Sequence, residues 1–135
     1  MRVVVDASFA GAWLLPDEAS ARADRLLRRA LSSKVELCVP QLWIYEIGNL
    51  LISAERRNRI TADQVHEAQA LIEAVPRTTF DHQTLLARER ISSLAMRHRL
   101  STYDAAYLEL ADRLQCELAT LDKRLAKASS RSPSR

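Results

Sequence analysis

A chain of 135 residues, 47% hydrophobic and 27% charged, has the size and composition of one domain with a real core, which excludes collagen-like, disulfide-dense and largely disordered classes. Its 20 Lys and Arg against 17 Asp and Glu leave a formal charge of +3, a slight tilt toward polyanionic partners that many plain enzymes share. No window approaches the roughly 20 apolar residues of a membrane span, and Asp6 interrupts any signal-peptide run, so a cytoplasmic chain without membrane contact is expected.

Residues 2–5 carry three valines and read as a short, fully buried strand of a parallel sheet ending on Asp6. Ligands of open α/β sheets bind beyond the carboxyl ends of the strands, so Asp6 points into a candidate site. Capping the next helix is an equally ordinary use for it. Residues 8–15 read as a short buried helix stopped by Pro16, and 17–31 as an amphipathic surface helix. Residues 36–39 form a second strand ended by Pro40, reached by a right-handed parallel crossover. A helix over 42–58 carries Glu46 among Leu42, Trp43 and Leu50, which places its carboxylate on the apolar face. Such a charge must be paired, protonated or bound to a cation, and the structural alternative is an ion pair with an arginine.

Thr61 and Gln64 have the form of a capping box opening a helix that ends before Pro76. Residues 78–80 read as a third short strand and 81–98 as an arginine-studded helix. Ser101 starts a helix in which Asp104 shares a face with Tyr107, Leu108 and Ala111, although Asp104 could equally be the partner of Ser101 in a capping box. Residues 116–120 read as a strand, and Asp122 repeats the strand-to-helix corner of Asp6. The polar, serine-rich residues 129–135 are expected to be a disordered tail, leaving one folded domain over residues 1–128.

Cys38 and Cys116 lack metal-like spacing and read as buried, reduced thiols, and His66, His82 and His98 show no zinc-ligand pattern. Gly11 and Gly48 are the only glycines, so Walker and Rossmann phosphate loops are excluded. Arginines cluster at positions 25, 28 and 29, at 56, 57 and 59, and at 88, 90, 97 and 99. The clusters suit phosphate contact, and each alone also fits a solvated helix face. Asp6, Glu46, Asp104 and Asp122 are expected to look over one sheet edge. Carboxylates brought together repel unless a hard cation neutralises them, and oxygen-only ligation points to Mg²⁺ or Mn²⁺. Such a site activates water for in-line displacement at phosphorus.

The stretches V-V-V-D-A-S with Asp6, P-Q-L-W-I-Y-E-I-G-N-L-L with Glu46 and Asn49, L-S-T-Y-D-A-A-Y-L-E-L-A with Asp104, and A-T-L-D-K-R-L with Asp122 follow in order across nearly the whole chain. Together they resemble the PIN-domain ribonucleases, and among them the toxins of VapBC-type toxin–antitoxin modules. The resemblance implies an α/β three-layer sandwich with a short parallel sheet of about four strands flanked by helices. It also implies RNA hydrolysis dependent on Mg²⁺, with Mn²⁺ as a substitute, homodimerisation, and inhibition by a cognate antitoxin. Carried onto this sequence, Asp6 and Asp104 look like direct metal ligands, and Glu46 and Asp122 like further ligands or water-holding acids. Ser8, Asn49 and Thr120 are similar to residues that line the pocket. The final edge strand usual in the family is missing after the Asp122 helix. An antitoxin helix is expected to dock on Phe9, Trp13, Leu14 and Leu15. Two rivals stand beside this reading. A haloacid-dehalogenase-like phosphohydrolase would need a second Asp where Ser8 stands. A catalytically inactive PIN-fold RNA-binding or protein-interaction module would have no use for the intact acid set.

Overall fold

A computed structural model describes residues 1–130 of the chain. Val3, Val4 and Val5 are buried, as a β-branched run without polar alternation requires when both faces of a sheet are covered. They belong to β1 (Arg2–Val5). β1 pairs in parallel with β2 (Glu36–Pro40) and β4 (Glu117–Ala119), and β2 pairs with β3 (Thr78–Phe80), giving the order β3-β2-β1-β4. The helices are α1 (Ala7–Leu14), α2 (Ala21–Leu31), α3 (Leu42–Arg56), α4 (Ala62–Glu73), α5 (Leu85–His98), α6 (Thr102–Leu114) and α7 (Lys123–Ser130). This is the expected α/β sandwich, and among the described residues no strand follows α7. No helix among them is long and apolar enough to cross a membrane.

The strand order positions the site. The chain runs outward through β2 and β3 on one side of β1 and comes back to the other side for β4, so the crevice beyond the ends of β1 and β4 is the topological switch point. Val5 pairs with Ala119, and the Asp6 N–H donates to the Ala119 carbonyl at 3.2 Å, which sets Asp6 level with Thr120. α6 is buried from Ala105 through Ala111 and packs on β1, β2 and β4, with α5 and α7 beside it. α1 and α3 approach closely at Gly11, where a Cβ would lie 3.0 Å from the Leu50 side chain. Leu50 is one turn beyond Glu46, so this approach brings the Glu46 face of α3 toward the end of β1.

Several boundaries move for local reasons. Pro16–Glu18 make a 3₁₀ turn, and α2 starts later than expected because the Ser20 hydroxyl accepts from the Ala23 N–H as its cap. α5 likewise starts at the Thr84 cap, and α3 ends before Asn58, which is left-handed with φ 59°. The tail expected from residue 129 begins inside α7, because Ala128 and Ser129 are buried against the rest of the domain. Residues 131–135 of that expected tail lie outside the described residues. Cys38 is buried, and burial pushes its thiol up to about 11, whereas Cys116 is only partly buried. No disulfide joins the two.

Candidate active site

Asp6 is a helix cap and also stands beyond the end of β1. It caps α1, with Oδ1 accepting from the Ser8 N–H at 3.1 Å, and its carboxylate is 6% exposed at the switch point. The Ser8 hydroxyl donates to the same oxygen at 2.5 Å, and the Thr120 hydroxyl donates to Oδ2. Both hydroxyls are also tied to the β4 corner: Leu121 N–H donates to Ser8 Oγ at 2.8 Å and Asp122 N–H to Thr120 Oγ1 at 3.0 Å. Ser8 and Thr120 therefore fix the Asp6 carboxylate and join two strand ends. Burial still outweighs these donors and raises the Asp6 pKa above its usual value.

Glu46 projects from α3 and is half-buried. The Tyr107 hydroxyl, reaching across from α6, donates to Glu46 Oε1 at 2.5 Å. Burial raises the Glu46 pKa, and the charges of Asp104 and Asp6 raise it further. Asp104, half-buried in the first turn of α6, is raised by burial and then by Asp122, against the opposing influence of Arg124 and Ser101. Its backbone N–H donates to Ser101 Oγ at 3.1 Å, so the cap on α6 is present. Asp122 is exposed and caps α7, its Oδ1 accepting from the Arg124 and Leu125 N–H groups at 2.8 and 3.2 Å. Capping occupies one Asp122 oxygen, which makes it the most peripheral of the four acids.

None of the ion pairs among the described residues includes Asp6, Glu46, Asp104 or Asp122. The arginine partner that would have explained Glu46 structurally is absent from them, and a tyrosine stands in its place. Asp104 and Asp6 raise the Glu46 pKa and Asp122 raises that of Asp104, only partly offset by Arg124; clustered carboxylates of this kind suit a hard divalent cation, and their oxygen donors are the type it prefers. Among the described residues, no three or more His, Cys, Asp and Glu side chains stand close enough to enclose a metal ion. The acids thus form a neighbourhood of mutual repulsion and not a closed cage.

Beside Glu46 lies a cleft of about 540 Å³ whose lining includes Ala7, Leu42, Tyr45, Glu46, Asn49 and Tyr103. Asn49, one turn after Glu46, is exposed on its wall. Tyr45 and Tyr103 are 79% and 64% exposed there. These two tyrosines and Tyr107 carry no site role in the sequence reading, and the available signal was positional, since Tyr45 adjoins Glu46, Tyr103 adjoins Asp104 and Tyr107 shares the Asp104 face. A further buried acid, Glu109, is also missed. It is 1% exposed and pairs with His82 Nε2 at 2.8 Å and Arg113 Nη2 at 3.0 Å.

The family model of the PIN domain matches residues 3–130. The chain belongs to the PIN domain family. Within it, this PIN domain is 32% identical over 127 residues to Ribonuclease VapC3 of Pyrobaculum aerophilum, covering 94% of both chains. It is 36% identical over 124 residues to Ribonuclease VapC9 of Mycobacterium tuberculosis, covering 92% of this chain and 88% of the relative. In fold it is similar to PAE2754 from Pyrobaculum aerophilum, with a TM-score of 0.68 at 21% identity over 96% of this chain and 80% of that one. It is also similar to Mycobacterium tuberculosis VapC20, a sarcin-ricin loop cleaving toxin, with a TM-score of 0.63 at 22% identity over 93% and 94% of the two chains. The PIN domain of this chain is thus of VapC type.

Proposed function

We propose that this PIN domain is a divalent-metal-dependent ribonuclease, the toxin of a type II toxin–antitoxin system, acting in the cytoplasm with Mg²⁺ as its natural ion. The observation that carries the reading is a set of carboxylates at the switch point of the sheet with tyrosine and hydroxyl partners and no ion-pair partner among the described residues. Asp6, Glu46 and Asp104 would hold the cation, with Asp122 as a further acid at the rim. When bound, such an ion neutralises the carboxylates and supplies Lewis-acid activation of water for phosphodiester hydrolysis. Ser8 and Thr120 lock the orientation of Asp6, and Tyr107 holds Glu46 by Oε1. Water adds to phosphorus, the bond to the leaving ribose oxygen breaks, and the leaving oxygen takes a proton. Tyr45 and Tyr103 offer exposed rings beside Glu46, and Asn49 an amide, a lining suited to unstacked bases of single-stranded RNA.

A nuclease that cuts the RNA of its own cell needs restraint in trans, and an antitoxin of this kind would lay an amphipathic helix into an apolar groove. The run proposed for that contact divides. Phe9 and Leu15 are 1% exposed and belong to the core, which corrects their expected role. Trp13 and Leu14 instead line an apolar cleft of about 220 Å³ with Leu27, Leu31, Leu71 and Val75 among its walls. That cleft is the candidate antitoxin seat. For the homodimer, α5 offers Leu85, Leu86 and Met96, all exposed. The test of the enzymatic reading is incubation of purified protein with total cellular RNA. Cleavage in Mg²⁺ that stops in chelator and in Asp6→Ala supports it. Intact RNA with the wild-type protein in both Mg²⁺ and Mn²⁺ would leave only a non-catalytic PIN module.

A further inference from the structure

Two chain corners meet beside the acids, and each carries a cation next to an acid. At the α5–α6 corner Arg99 precedes the Ser101 cap that holds Asp104, and at the β4–α7 corner Arg124 follows Asp122. The corners are tied together: Arg124 Nη2 donates to the Arg99 carbonyl at 2.5 Å, and the Arg124 charge is felt at Asp104. Arg99 is held at φ 56°, a left-handed position at a helix end where glycine is usual, and here it carries a long cationic side chain instead. Between the corners lies a cavity of about 350 Å³ lined by Arg97, His98, Arg99, Arg124, Lys127 and Ala128. Its lining contains no acid, and none of the ion pairs among the described residues involves these cations. The His98 Nε2 atom is buried without a hydrogen-bond partner. Four cationic side chains lining one hollow with no acid among them suit an anion with several oxygens.

We infer that this cavity is a subsite for a non-scissile phosphate of the RNA strand, gripping the backbone one step away from the bond presented to Asp104. The inference rests on the ribonuclease reading for the identity of the strand, while the anion chemistry stands on the cavity itself. The subsite reads no base. It anchors the backbone so that the scissile phosphate lies at the acids, and it supplies affinity that falls with salt. Its cations also offset the repulsion that the carboxylates present to an approaching polyanion.

The experiment compares wild type with Arg97→Gln/Arg99→Gln/Lys127→Gln in the full chain. Glutamine suits position 99, since Gln115 already occupies the same left-handed conformation at the end of α6. The control removes equal charge from α2, as Arg25→Gln/Arg28→Gln/Arg29→Gln. Arg29 touches Met1 at the opposite end of β1, so that cluster is remote from the acids. Binding of a short labelled single-stranded RNA of mixed sequence is read in chelator across a salt series, and cleavage is read separately in Mg²⁺. The cavity variant should raise Kd by about tenfold, and its salt slope should fall by about 0.7 for each phosphate that is no longer neutralised, while the α2 variant stays near wild type. In cleavage the cavity variant should raise KM and leave kcat within about twofold. Equal losses in the two variants would reduce the effect to net charge and overturn the subsite. So would weakened binding of inorganic phosphate with RNA affinity and salt slope unchanged, which marks a small-anion site only. If wild type binds RNA through the cavity but cleaves none, the ribonuclease reading fails and the subsite stands.

Discussion

At the residue scale the site is governed by three carboxylates whose pKa values are raised mainly by burial: Asp6, Glu46 and Asp104. A raised folded-state pKa means that folding favours the protonated form. The stability these groups contribute is full below their ordinary values and is lost as pH rises through the folded ones. Glu46→Gln keeps an acceptor for the Tyr107 hydroxyl and removes the charge. In metal-free protein at neutral pH it should raise the melting temperature by about 2–4 °C, on the order of 1 kcal/mol, and the gain should vanish below the ordinary glutamate value of 4.5. Calorimetric scans of both proteins at the two pH values check this. A loss of stability at neutral pH would show that Glu46 is a structural acid. Tyr107→Phe removes the hydroxyl donor that orients Glu46, and should lower kcat about tenfold with KM for RNA nearly unchanged. A rise in KM alone would place Tyr107 in substrate binding instead.

At the scale of elements, the strands and caps were legible because their signals are local. The valine run, the Thr61–Gln64 capping box and the short strand at 78–80 each announce themselves within a few residues, and each is present. The strand-to-helix corners at Asp6 and Asp122 were legible too, whereas the strand order that makes their crevice a switch point was not. What was not legible is contact between distant helices. The Tyr107–Glu46 hydrogen bond joins residues 61 apart, and the Glu109 pair with His82 joins α6 to the loop before α5. Nothing in the local pattern around Glu46 told a tyrosine partner from an arginine. Glu109 also has the opposite pH signature to the site. Burial pushes its carboxyl up, but hydrogen bonds from His82 and Arg113 outweigh burial and leave its pKa below the usual value. Its stabilisation is present above 4.5 and is lost as pH falls through the lowered value. Glu109→Ala leaves Arg113 and His82 without their carboxylate and should cost about 3 kcal/mol at neutral pH, measured by denaturant unfolding. A cost no larger than that of an exposed pair, under about 1 kcal/mol, would contradict the structural role.

At the scale of the whole molecule, the domain closes without a strand after α7 among the described residues, and β4 stands at the edge with α7 packed beside it. Burial of Ala128 and Ser129 secures that last described helix against the domain. α5 exposes Leu85, Leu86 and Met96, apolar side chains that a second copy of the chain could cover. Leu86→Arg should convert a dimer to a monomer in sedimentation velocity while leaving the melting temperature of the monomer fold intact. A wild-type protein already monomeric at the same concentration would move the dimer face elsewhere or remove it.

Under the proposed function, mutually repelling carboxylates at the switch point of the sheet would seat a divalent cation. Titration calorimetry with Mn²⁺ tests it without an RNA substrate. Wild type should bind, and Asp6→Ala and Asp104→Ala should each weaken binding by at least about tenfold, because each removes an oxygen donor and a neutralising charge. Asp122→Ala should weaken it less, since one Asp122 oxygen is committed to capping α7. Unchanged Mn²⁺ affinity in both Asp6→Ala and Asp104→Ala would contradict the account.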